Sequence, residues 1–234
     1  MFTKNEKYMT NKLILLAVFV ASMILMSFNY PKKKKVIFFG DSITQAGIKP
    51  GGYIKLMDSL LLNEGVGNDY ELMGAGVSGD KIYDLYLRIE EDVLKHSPDI
   101  VIIYVGVNDV WHKSSSGTGT DFPKFGKFYE AVINKLQAAG SKVIVCTPAV
   151  IGERTDNSNQ QDGDLNMYSN WLRNYTSKNN IPLVDLRAGF IQYNLKNNLQ
   201  NKESGILTTD RVHLTATGNL FVAEEMWKVI KTIK

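Results

Sequence analysis

One cysteine, three histidines and six prolines in 234 residues exclude several kinds of protein at the outset. A single thiol, Cys146, forms no intrachain disulfide, so the chain is not a disulfide-stapled scaffold. It lies within the apolar run Lys142–Thr147, where a small buried hydrophobe is the expectation and a catalytic thiol the alternative. No His, Cys and carboxylate residues stand at metal-ligand spacing, so no metal and no cofactor is expected. Few prolines beside 19 glycines speak against collagen-like or Pro-rich disordered chains. No apolar run reaches the ~20 residues that a membrane-spanning helix usually needs.

Excess charge of one sign is also lacking once the termini are separated. Residues 1–35 hold seven lysines and one glutamate, a balance of +6 against the chain's +3, so residues 36–234 carry −3. The mildly acidic body gives no electrostatic case for binding nucleic acid. A hydrophobic fraction of 44% and a charged fraction of 22% suit one globular α/β domain with a sizeable core.

What is present begins with a leader. Lys4, Lys7 and Lys12 precede the run Leu13–Phe28, apolar apart from two serines. The order of charge and apolar residues fits a signal peptide and an exported protein, periplasmic or extracellular. The small residues of a cleavage site are not distinct, and Lys32–Lys35 follow the run. An uncleaved membrane tether through residues 13–28 is therefore the alternative. Residues 1–35 read as this leader with its basic linker, and residues 36–234 as the folded body.

Along the body, short apolar runs alternate with longer amphipathic ones. Val36–Phe39, Tyr70–Met73, Ile100–Val105, Lys142–Thr147 and Pro182–Leu186 read as five strands buried between helices. Helical spacing runs through Gly52–Asn63, Ile82–Lys95, Phe125–Ala139, Leu165–Lys178 and Ala216–Ile233. Strand and helix in alternation predict a doubly wound parallel sheet with helices on both faces. Ser114–Thr120 and Gly152–Gly163 break the rhythm after the third and fourth strands. They read as surface loops at the edge where such sheets build a ligand crevice.

The chemistry-bearing residues fall on that edge. Gly40-Asp41-Ser42-Ile43-Thr44 follows the first strand and places Ser42 in a strand-to-helix turn, beside helix N–H groups suited to a developing oxyanion. Taken alone, this pattern is more often a helix N-cap. A serine nucleophile needs a base, and the chain offers His96, His112 and His213. His96 precedes the third strand, on the opposite edge. His112 follows that strand in a loop. His213 stands three residues after Asp210, a spacing that lets the carboxylate bond Nδ1–H and fix the ring. A solvated loop histidine beside an incidental aspartate fits the same spacing. Gly76-Val77-Ser78-Gly79-Asp80 follows the second strand and Gly106-Val107-Asn108-Asp109 the third. Each reads as a turn, while a glycine there admits close backbone approach and the Asn108 amide is a candidate oxyanion donor.

Together the four blocks, in this order and at these places, resemble those of the SGNH (GDSL-like) hydrolases over about Val36–Lys234. The resemblance implies a flavodoxin-like three-layer α/β/α sandwich on a five-stranded parallel sheet. It also implies a serine esterase working through an acyl-enzyme. By position, Ser42 is the implied nucleophile, His213 its base and Asp210 the residue orienting the base. Ser42 N–H, Gly79 N–H and the Asn108 amide are the implied oxyanion hole. The first block reads GDSIT rather than GDSL, a variation the family tolerates. Asp41, Trp111, His112, Glu153 and Arg154 are candidate substrate-pocket residues, the last four resembling pocket residues of the carbohydrate-esterase-like branch. The expected substrate is a small acyl ester, acetyl above all, on a carbohydrate. Lipid esters or acyl transfer to a sugar are alternatives with the same residues, and a non-catalytic glycan-binding module is the rival of another class.

Overall fold

The computed structural model describes residues 8–9, 12–19 and 32–233. The chain divides into two units, Met1–Lys33 and Lys34–Lys234. In the first, residues 12–19 are helical, with Leu13, Ile14, Leu15, Leu16, Val18 and Phe19 exposed. Among the described residues no helix is long and apolar enough to cross a membrane. Most of the expected leader, including residues 20–28 of the apolar run, lies outside the described residues.

The second unit is built on five strands: β1 (Lys34–Gly40), β2 (Tyr70–Gly76), β3 (Ile100–Tyr104), β4 (Lys142–Cys146) and β5 (Leu183–Val184). They form one all-parallel sheet in the order β2-β1-β3-β4-β5. Continuous apolar runs make the central strands because both faces are covered. Val36 to Phe39 and Ile100 to Ile103 are buried throughout. β2, at the edge, is only half-buried, and its glycines and Glu71 weaken its apolar signal. β1 begins at Lys34, so two of the leader's lysines belong to the sheet.

Eight helices of this unit complete it: α1 (Ser42–Gly47), α2 (Tyr53–Asn63), α3 (Ile82–Asp92), α4 (Val107–Ser115), α5 (Phe122–Ala138), α6 (Asp162–Lys178), α7 (Leu186–Asn197) and α8 (Ala216–Ile230). Right-handed crossovers place α1 and α2 on one face, since the chain steps from β1 to β2 in one direction. The later steps run the other way and place α3, α5 and α6 on the opposite face. The packing agrees: α2 lies against α8, α3 against α5, and α5 against α6. The sandwich therefore has the three expected layers. α4 and α7 are helices where the sequence suggests a turn and an unassigned stretch. α4 absorbs the start of the supposed loop Ser114–Thr120 and carries His112.

The direction in which the connections step across the sheet reverses between β1 and β3, and the crevice of such sheets opens there, outside the carboxyl ends of the strands. Glycines set how tightly this edge closes. Gly40 pairs with Gly76 on one side and with Tyr104 on the other. A Cβ on Gly40 would collide with the Tyr104 carbonyl oxygen and the Thr44 hydroxyl; one on Gly76 would collide with Gln45 N and lie 2.7 Å from the Asp41 carbonyl. The first turn of α1 thus rests directly on the ends of β1 and β2, and the end of β1 on that of β3.

Gly40→Ala is expected to destabilise the fold by about 1–3 kcal/mol, because one of the colliding groups is backbone and cannot rotate away. A urea denaturation midpoint equal to that of the unaltered chain would contradict this close approach.

Candidate active site

Three strand ends and one loop bring the site together. Asp41 caps α1, accepting the Ile43 N–H at 3.0 Å, and Ser42 is the first helical residue. As in any helix, the first-turn N–H groups have no intrahelical partner. No acceptor among the described residues takes the Ser42 N–H, and the same holds for Gly79 N–H. Gly79 has φ +83, a region that favours glycine, and the ring of His112 lies 4.0 Å from where its Cβ would be.

Ser42 Oγ lies 2.9 Å from His213 Nε2, and His213 Nδ1 lies 2.7 Å from Asp210 Oδ2. The carboxylate next to Nδ1 favours the tautomer with its proton there, leaving Nε2 to accept from the serine hydroxyl. Asp210 does more than touch the ring. Its Oδ1 accepts the Val212 N–H at 3.1 Å and the His213 N–H at 2.8 Å, folding Asp210–His213 into a tight turn in which Arg211 takes φ +85. Partial burial pushes the Asp210 carboxyl up, but the hydrogen bonds from His213 and Val212 outweigh it and hold the group below the usual carboxylate range.

Asn108 is in the first turn of α4, immediately after the switch at Gly106, whose φ is +133. It is buried, and its Nδ2 donates to the Asp80 carbonyl at 3.0 Å. An amide nitrogen carries two hydrogens, so the second remains for another acceptor. The neighbouring Asp109 turns inward and accepts the Ile82 N–H with its carboxylate.

The expected pocket residues do not all face the crevice. Asp41 is buried as the α1 cap. Glu153, also read from the sequence as a pocket residue, is 1% exposed, and its carboxylate accepts the N–H groups of Ile206 (2.9 Å), Leu207 (2.5 Å) and Thr208 (2.9 Å). With the Gly152 N–H on the Arg211 carbonyl, it braces the segment that delivers His213. A carboxylate at the end of an apolar strand reads as a site residue in sequence; three distant N–H donors give it a structural place. Arg154 lies 3.7 Å from Glu203 and, with Glu153, Arg187 and Asn194, lines a cleft. Trp111 and His112 sit side by side on α4 with ring centroids 6.0 Å apart. Burial and the nearby Lys81 cation lower the His112 pKa, while Asp84 opposes them. Cys146 is buried in β4 and its thiol is pushed up by that burial. His96 ends a short 3₁₀ turn before β3, on the far edge.

Arg88 was hidden among the helix residues of the sequence. It donates from Nε to Asp80 Oδ2 at 2.7 Å and from one terminal nitrogen to the carbonyls of Gly40 (2.8 Å) and Ala75 (3.1 Å). The available signal is its phase: it falls three residues after Leu85 and beside Ile89, both buried, where a lone charge is out of place.

Burial raises the Asp41 carboxyl from an ordinary 3.8 to about 7, with the Ile43 N–H opposing and Asp109 adding to the rise. A raised pKa in the fold means stability present below the unfolded value and lost as pH climbs to the folded one. The unaltered chain should therefore lose stability relative to Asp41→Asn, which keeps the cap and does not titrate, by on the order of 1–4 kcal/mol from pH 4 to pH 7. Urea denaturation across that range checks it, and a flat difference would contradict the burial effect.

Comparison with known proteins agrees with this architecture. Residues 38–220 match the GDSL-like lipase/acylhydrolase family. An acetylxylan esterase of Geobacillus stearothermophilus is 27% identical over 215 residues, covering 84% of this chain and 94% of the relative. A GDSL esterase/lipase of Arabidopsis thaliana, CPRD49, is 23% identical over 86% of this chain and 80% of its own length. The crystal structure of an acetyl xylan esterase, AlAXEase, is 62% identical, covers 84% of this chain and 99% of its own, and superposes with a TM-score of 0.82. The chain belongs to the GDSL-like lipase/acylhydrolase family, of the SGNH type, and is a carboxylic ester hydrolase.

Proposed function

We propose that the chain removes acetyl groups from acetylated carbohydrate, with Ser42 as nucleophile, His213 as general base and acid, and Asp210 orienting the ring. The observation carrying the assignment is the relay Ser42 Oγ–His213 Nε2–Asp210 at 2.9 and 2.7 Å. Support for the substrate comes from relatives called acetylxylan esterases, one of them 62% identical.

Ser42 Oγ attacks the ester carbonyl carbon while its proton passes to His213 Nε2. The resulting imidazolium is stabilised by the Asp210 carboxylate. The tetrahedral oxyanion accepts hydrogen bonds from Ser42 N–H, Gly79 N–H and the second Asn108 Nδ2–H. Collapse breaks the bond to the sugar oxygen, which takes the proton from His213, leaving acetyl on Ser42. Water then attacks that ester with His213 again as base, releasing acetate and restoring the serine. Trp111 and His112 on α4, the latter beside Gly79, are proposed to meet the substrate, with Glu153 and Arg154 proposed for the neighbouring loop. The apolar leader is proposed to carry the protein out of the cytoplasm, with residues 13–28 as an optional tether.

Ser42→Ala should abolish acetate release from acetylated xylo-oligosaccharides while the melting temperature holds; activity within about tenfold of the unaltered chain would remove Ser42 as nucleophile, since triad members are worth far more. Asn108→Ala should lower kcat roughly 100- to 1,000-fold with KM little changed, the signature of a donor that meets charge only in the transition state. A lowered melting temperature with kcat intact would make Asn108 a turn former instead.

A further inference from the structure

The oxyanion donors of the proposed reaction come from three separate segments, and a side chain must hold them in register. Asn108 is not oriented by its own helix alone. Its amide donates to the carbonyl of Asp80, in the segment that follows β2. That segment leaves the sheet at Gly76, turns through Gly79 and starts α3 at Ile82. It has no regular structure of its own between these points, so its position depends on what grips it.

Arg88 grips it from below. Four of its N–H groups have acceptors: Asp80 Oδ2 at 2.7 Å, Asp92 Oδ2 at 2.7 Å, the Gly40 carbonyl at 2.8 Å and the Ala75 carbonyl at 3.1 Å. Its plane rests 4.6 Å from the centre of the Phe39 ring, and the side chain is 17% exposed. The rigid fork of a guanidinium is what allows one side chain to hold two strand ends and a carboxylate at fixed angles. Gly40 is the residue before Asp41-Ser42, Ala75 is the next-to-last residue of β2, and Asp80 supplies the carbonyl on which Asn108 is aligned. One guanidinium thus joins the turn that carries Ser42 to the segment that carries Gly79, and through Asp80 it reaches Asn108. Lys81 adds a second hold on the same segment, donating from Nζ to the Gly79 carbonyl at 2.9 Å.

We infer that Arg88 is a positioning residue for the oxyanion hole, acting through Asp80 on the Asn108 amide and the Gly79 N–H without touching the substrate. This inference rests on the reading that Asn108 and Gly79 stabilise the oxyanion on Ser42. Small displacements of such donors are costly, so the effect should appear in kcat although the residue is outside the crevice.

The test is a double-mutant cycle on the full chain with 4-nitrophenyl acetate, recording kcat, KM and melting temperature together. Arg88→Met should lower kcat roughly 10- to 100-fold with KM changed less than about threefold, and Arg88→Lys should recover part of the loss. In an Asn108→Ala background, Arg88→Met should lower kcat by only a few-fold, because the group it positions is gone. A role confined to holding α3 on the sheet would lower the melting temperature and leave kcat of the folded fraction unchanged, which overturns the inference. So would a full, additive loss in the Asn108→Ala background. If Arg88→Met does not fold, Arg88→Lys and Asp80→Asn, which keeps the Asp80 carbonyl, decide in its place; unchanged kcat in both overturns the inference. Failure of the underlying reading looks different: Ser42→Ala and Asn108→Ala would then themselves retain kcat.

Discussion

With no Cβ at Gly40 or Gly76, the first turn of α1 settles onto the ends of β1 and β2, the end of β1 closes on the Tyr104 carbonyl of β3, and every feature of the site is referenced to these contacts. Because the backbones touch, Ser42 appears at the sheet edge with its N–H unpaired, and the Gly79 segment starts one residue beyond the Gly40–Gly76 pair. Side chains would force these elements apart by more than a hydrogen bond tolerates. The sheet supplies rigidity to the arrangement, since β1 and β3 are buried on both faces and cannot shift independently.

Around these contacts, two polar devices bring in the remaining groups. On one side Arg88 ties the ends of β1 and β2 to Asp80, and Asp80 aligns Asn108. On the other, Glu153 gathers three N–H groups of the 206–208 segment, and Asp210 folds the turn that presents His213. Each is a charged group satisfied by several partners, the condition under which burying it is tolerated. Positive φ recurs beside them: Gly79 and Gly106 adopt it freely, while Arg211, with a side chain, takes it at a local cost in strain.

Much of this was legible in the sequence. Both-face burial makes β1, β3 and β4 continuous apolar runs, and the Asp210–His213 spacing allows the ring contact directly. What escaped has a common cause. α4 begins at a glycine in an unusual conformation and is rich in polar residues, so its pattern resembles a loop. Glu153 and Asp41 stand out in sequence as crevice carboxylates, but the backbone N–H groups that they also hold carry no sequence signal. The phase of Arg88 sets it beside the buried face of α3, but what holds it there is invisible until its carbonyl acceptors, 48 and 13 residues away, are in view. Periodicity reports the face a residue occupies, and long-range hydrogen bonds lie beyond it.

The central claim is that Ser42 N–H, Gly79 N–H and the Asn108 amide converge on one point next to Ser42 Oγ. A crystal structure of the covalent adduct with a methylphosphonate ester, whose phosphoryl oxygen mimics the oxyanion, tests it most directly. The account predicts phosphorus on Ser42 Oγ with that oxygen about 2.7–3.1 Å from all three donors. An adduct on another residue, or a phosphoryl oxygen turned away from Gly79 and Asn108, would contradict it.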